Sequence, residues 1–340
     1  MDLGKLLGLM LLSVVVTGIL IVPFIDFLYK IKLRRQNQKT VDIFNNPTPF
    51  FDKSNKWKVG TPFGGGALII GVVTVLSLWS YGIFNVEAKL WEIIALLFAF
   101  ISFGLLGLYD DLKKLISNPT KYALFGLRFR HKFLVQWGLA FLVSLILYFP
   151  LGYSTIFIRG IGQIDLGIVY IFLSMFAIVS FVNAFNIADG LDGLAPGLLL
   201  ICLGAFLAIS STALDSTLAI FIAILIGSVS AFLYFNIYKA RIWMGDVGSM
   251  SLGAVLAVIG LLNNKVLALV VIGGVFILEI GSSLIQILGK KYLGRKIFPV
   301  APFHLLLLKR GWEEPKIVMR AWLLGFFFAI LGLFIAVLSK

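Results

Sequence analysis

The chain has 340 residues, 60% of them hydrophobic and 13% charged, with a mean hydropathy of +1.02. Water-soluble domains run at about 45–50% apolar and about 25% charged, so a pair of ordinary soluble domains is excluded. The 29 Lys and Arg against 16 Asp and Glu give a net charge of +13, which in so apolar a chain speaks to membrane sidedness rather than to nucleic acid.

A spanning helix takes about 20 apolar residues, so the apolar content is enough for roughly ten spans. The first apolar run, 6–28, leads into Tyr29-Lys30-Ile31-Lys32-Leu33-Arg34-Arg35 without a small-residue cleavage site, and reads as a retained span. Hydropathy predicts further spans at 64–83, 90–109, 133–149, 167–185, 194–211, 216–235, 248–263, 266–288 and 318–338. The expected fold class is all-α. It is a polytopic integral membrane protein of about ten transmembrane helices in one domain over 1–340, because isolated strands cannot satisfy their backbone groups in lipid. Cys202 is the only cysteine, which excludes a disulfide framework or a thiolate metal site.

The connections divide by charge. Those after spans 1, 3, 5, 7 and 9 carry 24 of the 29 basic residues. The positive-inside rule assigns them to the cytoplasm and both termini to the opposite side. The same division places five acids on the cytoplasmic face: Asp110 and Asp111 at the end of span 3, Asp189 and Asp192 at the end of span 5, and Asp246 between spans 7 and 8.

Their settings carry chemistry. Asn183, Asn186, Asp189 and Asp192 recur every third residue, which aligns them along one side of a helix. Met244-Gly245-Asp246-Val247-Gly248-Ser249 precedes an apolar helix whose N-terminus can face an anion. Carboxylates without Cys suit a hard cation such as Mg²⁺, which usually shares its shell with substrate phosphates. Lys58, Lys132 and Arg295 would add phosphate contacts. The residues thus point to phosphate chemistry at the inner membrane surface. Other readings stay open at single positions. Glu279 and Gln286, seven apart inside span 9, fit either a functional pair or a hydrogen bond between helices. His304 follows Ala301-Pro302-Phe303 in a basic connection.

These motifs resemble the polyprenyl-phosphate N-acetylhexosamine-1-phosphate transferase superfamily, and within it the phospho-N-acetylmuramoyl-pentapeptide transferase family. The resemblance runs in order from Lys58 to Trp322. Gly60 to Gly65 is similar to the family's GTPTMGG, and Gly107 to Asp111 to its G-[FL]-x-D-D. Lys132 and Gln136 match K-x₃-Q, and Asn183 to Ala195 is nearly NAVNLTDGLDGLA. Asn236 with Met244 to Ser249 matches N…FMGDxGS. Glu279, Gln286 and Gly294 to Phe298 resemble E…Q…GKRIF, and Gly311 to Trp322 resembles GW-x-E-x-K-V…R-x-W.

The resemblance implies transfer of phospho-MurNAc-pentapeptide from its UDP carrier to undecaprenyl phosphate, giving lipid I and UMP, with Mg²⁺ as cofactor. It implies Asp246 as metal ligand, and Asp110, Asp111 and His304 as further catalytic residues. Lys58, Asn186, Asp189, Asp192, Asn236 and Ser249 fall where the family contacts nucleotide, and Thr61, Lys132, Trp243 and Gln286 join them as substrate-binding candidates. It also implies a bacterial cytoplasmic membrane location, lipid as a partner and a homodimer. The chain departs from the pattern in four places, one of them Lys239 where the family has Pro after the Asn. The family's Pro-x-His-His-His-x-Glu is here Pro302-Phe303-His304-Leu305-Leu306-Leu307-Leu308, Phe63 and Gly64 replace Thr and Met, and Trp243 replaces Phe. The metal-site acids are intact, so an active enzyme is expected. Competing readings are a sister transferase using another UDP-linked sugar, a non-catalytic homologue, and a lipid transporter, which would keep its ionisable groups near mid-bilayer.

Overall fold

The computed structural model describes residues 3–35, 40–42, 44, 46–84, 89–116, 129–158, 162–212 and 216–338. In chain order its elements are α1 (Leu3–Lys30), α2 (Pro49–Ser54), α3 (Gly65–Ile83), α4 (Leu90–Ile116), α5 (Phe129–Tyr148), β1 (Thr155–Ile158), β2 (Gly162–Asp165), α6 (Val169–Ala188), α7 (Leu194–Thr212), α8 (Ser216–Asn236), α9 (Gly245–Leu262), α10 (Val266–Ile272), α11 (Gly274–Tyr292), α12 (Phe303–Lys309) and α13 (Glu314–Leu338). Among the described residues, nine helices are long and apolar enough to cross a membrane, and the bent pair α10–α11 makes ten.

Burial ranks the helices. In α9, 89% of the apolar window is buried, against 28% in α1 and 22% in α13. The core helix is rich in small residues, from Gly248 and Ser249 to Gly260, which let neighbouring backbones approach closely. Its Ser251 hydroxyl donates to the Phe100 carbonyl of α4 at 2.6 Å. The outer helices turn Leu11, Ile19, Phe327 and Phe334 outward, as side chains facing lipid tails do. On α1, Ser13 and Thr17 instead face α8, donating to the Ile224 carbonyl at 2.7 Å and the Ser228 hydroxyl at 2.9 Å.

The helix ends sort into two sets. At one end the start of α3 and the segment before α9 are laced together: Arg34 bridges Pro62, and Phe63 bridges Trp243. At the other end the Tyr81 hydroxyl reaches the Thr217 carbonyl at 3.0 Å, and the Tyr153 hydroxyl reaches Leu262 at 2.7 Å.

Three shifted boundaries and one bend bear on the site. Helix α4 runs on to Ile116, so Asp110 and Asp111 lie within it. Helix α6 runs on to Ala188. Helix α9 opens at Gly245, which puts Asp246 in its first turn rather than in the preceding loop. The ninth span bends by 76° between α10 and α11. The bend falls at Gly273, where a Cβ would come within 2.4 Å of the Phe181 ring on α6. A short antiparallel β1–β2 hairpin, outside the spans, pairs Thr155 with Asp165 and Ile158 with Gly162.

Candidate active site

Three carboxylates meet where α4 crosses the start of α9. Asp110 and Asp111 are 3% and 2% exposed. Asp246 is the most open of the three, with its side chain 18% exposed. The crossing is backbone to backbone, because a Cβ on Gly107 would lie 2.1 Å from the Asp246 carbonyl oxygen. Asp111 locks it by accepting the Val247 amide at 3.1 Å. That amide belongs to the first turn of α9, which has no partner inside its own helix.

Two lysines bind the acids together. Lys114, one helical turn beyond the acid pair, places Nζ 3.1 Å from Asp110, 3.4 Å from Asp111 and 2.9 Å from Asp246. Lys132 on α5 reaches Asp110 at 3.3 Å and Asp246 at 2.7 Å. From α6, Asn186 donates to Asp246 at 3.1 Å and to the Ser249 hydroxyl at 2.7 Å. Three carboxylates thus face two ammonium groups. The surplus negative charge and the oxygen-only donor set suit a hard divalent cation. Among the described residues no trio of acid, His or Cys side chains closes on one metal position. Asp246 with one neighbouring oxygen fits a cation whose shell substrate phosphates complete.

Beside this cluster lies a second polar knot. Lys58, 1% exposed, places Nζ 2.6 Å from Glu314 and 3.1 Å from Asp192. Glu314 also accepts the Asp192 amide at 2.7 Å, and Asp192 accepts the Ala240 amide at 2.9 Å. Asn236 accepts the Gly193 amide at 3.0 Å and donates to the Ile242 carbonyl at 2.8 Å. The Trp243 ring carries the Arg35 guanidinium at 4.7 Å and the Lys58 ammonium at 4.9 Å. Thr61 is half-buried in the turn below, its carbonyl accepting the Arg35 amide at 2.9 Å.

The four-residue polar stripe divides because α6 ends at Ala188. Asn183 turns to Gln136 at 2.8 Å and Asn186 to Asp246, whereas Asp192 leaves the helix axis for the Lys58 knot. Asp189 caps the helix between the two groups. Burial, with Asp246 and Asp192 nearby, pushes its carboxyl well above the usual carboxylate range.

His304 is buried and its Nδ1 lies 2.9 Å from Glu279. Its Nε2 side packs against Gly190, within the turn that carries Asp189 and Asp192. Glu279 thus sits beside the site as the partner of His304. Gln286 is placed differently: its amide accepts from the Ile297 and Phe298 amides at 3.0 and 2.8 Å and donates to the Phe298 carbonyl at 2.9 Å. Both ends of that side chain hold the 297–298 backbone.

Lys114, Glu314 and Arg35 are the members sequence reasoning did not assign to the site. Lys114 had a signal, its spacing of three and four from the acid pair. Glu314 was marked only by the Gly311 to Trp322 resemblance, and nothing near it in sequence pointed to its partner Lys58, 256 residues away.

Residues 93–264 match the family model described as glycosyl transferase family 4. The chain is also similar along nearly its whole length to curated phospho-N-acetylmuramoyl-pentapeptide-transferases. With that of Geobacillus sp. (strain WCH70) it shares 36% identity over 332 residues, 96% of each chain. With that of Oceanobacillus iheyensis it shares 34% over 345 residues, 99% of each. With that of Rickettsia montanensis it shares 35% over 343 residues, covering 95% of this chain and 91% of the relative. The polar knot at one end of a bundle of membrane-length helices is therefore built on a chain that belongs to the phospho-N-acetylmuramoyl-pentapeptide transferase family, within glycosyl transferase family 4.

Proposed function

We propose that the protein transfers phospho-MurNAc-pentapeptide from UDP-MurNAc-pentapeptide to undecaprenyl phosphate, yielding lipid I and UMP, at the cytoplasmic face of a bacterial inner membrane. The observation that carries the reading is the convergence of Asp110, Asp111 and Asp246 with Lys114, Lys132 and Asn186 at the helix ends. One substrate is water-soluble and the other lipid-anchored, so both reach such a site only at an interface. The basic connections gathered at this end fit the cytoplasmic assignment.

In the net reaction an oxygen of the lipid phosphate forms a bond to the sugar-linked phosphorus, and the bond from that phosphorus to UMP breaks. Phosphoryl transfer asks mainly for positioning and charge neutralisation. Mg²⁺ held by Asp246 and substrate phosphate oxygens would neutralise the pyrophosphate and the departing UMP. Lys114 and Lys132 sit where they can pass from the carboxylates to phosphate oxygens. Asp111 is tied to the Val247 amide, and Asp110, held between Lys114 and Lys132, is the carboxylate we assign as acceptor for a proton on the lipid phosphate. Trp243, half-buried with the Arg35 and Lys58 cations held over its ring, is the aromatic group beside the site that the nucleotide can pack against.

The test is UMP release from UDP-MurNAc-pentapeptide with undecaprenyl phosphate and Mg²⁺. Wild type turns over, Asp246→Ala falls by at least a hundredfold, and His304→Ala falls less. The second reading, a sister transferase with another UDP-linked N-acetylhexosamine, is favoured by one observation: Leu305, Leu306 and Leu308 stand where the family resemblance expects His, His and Glu. Turnover of UDP-GlcNAc without turnover of the muramoyl donor would establish it instead.

A further inference from the structure

We propose that the cleft between Thr40–Asp42, Phe44 and Asn46–Phe51 on one side and residues 286–309 on the other binds the peptide arm of the donor through its terminal carboxylate. This rests on the muramoyl-peptide reading above. The cleft has a volume of about 1020 Å³, ample for a pentapeptide arm. One wall is the first of these sets with α2, and the other is the end of α11, the Gly294–Lys296 turn, Pro299 to Pro302, Leu305 and Lys309.

Its charge is one-sided. The lining holds Lys290, Arg295, Lys296 and Lys309 against the single acid Asp42. Asp42 is already matched, with Lys290 at 2.6 Å. Burial works to raise the Asp42 carboxyl, but hydrogen bonds from Lys290 and from the Asn46 and Phe44 amides outweigh it and hold it below the usual range. Among the described residues Arg295, Lys296 and Lys309 form no ion pair. Three cations therefore face the cleft without a counter-charge.

Both walls are ordered in advance. The triple hydrogen bond of Gln286 to residues 297–298 fixes the turn that carries Arg295 and Lys296. The Asp42–Lys290 pair ties the first wall to α11. Such preorganisation lowers the ordering cost of binding. The place is right as well. Pro302 and Leu305 line the cleft, and they flank in sequence His304, which packs against Gly190 beside Asp189.

The donor's anions are then shared out by location. Its phosphates belong to the acid and lysine cluster. A pentapeptide joined through its amino end to the sugar ends in a free carboxylate and reaches about 17 Å when extended. That carboxylate is the anion at the far end of the arm, and the cations lining the cleft suit it. Leu305, where the resemblance expects a histidine, gives the inner wall an apolar surface for short side chains.

The experiment compares wild type with Lys296→Ala/Lys309→Ala, measuring UMP release with three donors. These are UDP-MurNAc-pentapeptide, the same donor with its terminal carboxylate amidated, and UDP-MurNAc without peptide. The double variant is expected to raise KM for the pentapeptide donor by about tenfold to a hundredfold with kcat unchanged. KM for the peptide-free donor and for undecaprenyl phosphate stays as in wild type. Amidation raises the wild-type KM but adds little in the variant, the sign of a direct pair. An equal rise with the peptide-free donor, a rise in KM for undecaprenyl phosphate, or no rise at all overturns the inference while leaving the proposed reaction standing. Wild-type turnover of UDP-GlcNAc with no muramoyl donor accepted overturns the reaction and the inference together.

Discussion

Gly107→Ala adds one methyl group at the point where α4 touches α9. The new Cβ would lie 2.1 Å from the Asp246 carbonyl oxygen, 2.4 Å from its carbon and 2.6 Å from the Val247 nitrogen. All three are backbone atoms, and alanine has no rotamer to turn away. Ordinary contact begins at 3.4 Å, so 3.4 minus 2.1 leaves 1.3 Å of helix separation to be found. Asp246 rides on that backbone, so it would draw away from Lys114 and Lys132. A misplacement of about 1 Å costs roughly a hundredfold in rate, or about 2.7 kcal/mol of transition-state stabilisation. Overpacking adds about 1–3 kcal/mol of lost stability. Gly104→Ala, nearly one turn earlier on the same helix, is the control. Its Cβ would meet the Ile70 Cδ1 atom at 2.5 Å, the movable end of a side chain, and nothing else closer than 3.6 Å. Steady-state UMP release and a thermal unfolding curve in detergent should therefore separate the two. Gly107→Ala falls about a hundredfold in kcat with a lowered Tm, and Gly104→Ala stays within about threefold. Equal losses in both variants, or a Gly107→Ala enzyme near wild-type rate, would refute the claim that backbone contact at this crossing sets the position of Asp246.

Three further outcomes follow from the same geometry. Lys58→Met leaves Asp192 and Glu314 buried without their cation, a loss of about 3–5 kcal/mol. Adding Glu314→Gln should recover part of it, and additive losses in thermal unfolding would show the knot is not electrostatic. Glu279→Gln keeps an acceptor for the His304 ring and should retain activity within about tenfold. Glu279→Leu should lose roughly another tenfold by freeing the ring, and equal rates for the two variants would rule out this positioning role. Asp189 has a raised carboxyl, so the folded metal-free protein keeps a proton that the unfolded chain releases near the ordinary carboxylate pKa. Stability therefore falls as pH rises from that ordinary value through the raised one, and Asp189→Asn should flatten the dependence. Parallel Tm-against-pH curves for wild type and variant between pH 5 and 8 would contradict this.

The parts of the site legible in the sequence are those fixed by local helix geometry. Asp110, Asp111, Asn186, Asp246 and Ser249 lie within a turn or two of a helix end, so their spacing and the loop charge brought them to one side before any contact was known. What stayed hidden depends on long-range packing. Lys114 was read only for its charge, although its hydrogen bonds join both helices. The every-third-residue stripe continued on paper past Ala188, but the chain turns at Gly190 and sends Asp192 to a different partner. Gln286 reads as a polar residue aimed at substrate, and only the folded 297–298 segment shows what its amide holds. The break at Gly273 packs against Phe181, some ninety residues earlier, a contact that hydropathy does not register.

The Lys58–Glu314 contact also sets an order of events during synthesis. At about 5–20 residues per second, the 256 residues between the two take roughly 13–50 s to make. When the growing chain reaches Glu314, Lys58 and Asp192 are already made and still lack the carboxylate that completes their group, while the α4–α9 acid cluster, whose last member Asp246 precedes Glu314 by 68 residues, has all its members. The nascent protein thus acquires its charged pieces early and its closure last. A chain stopped before α13 would hold the acids of the site and lack the strap across them. Insertion of α13 is the step that brings Glu314 to Lys58 and closes the knot.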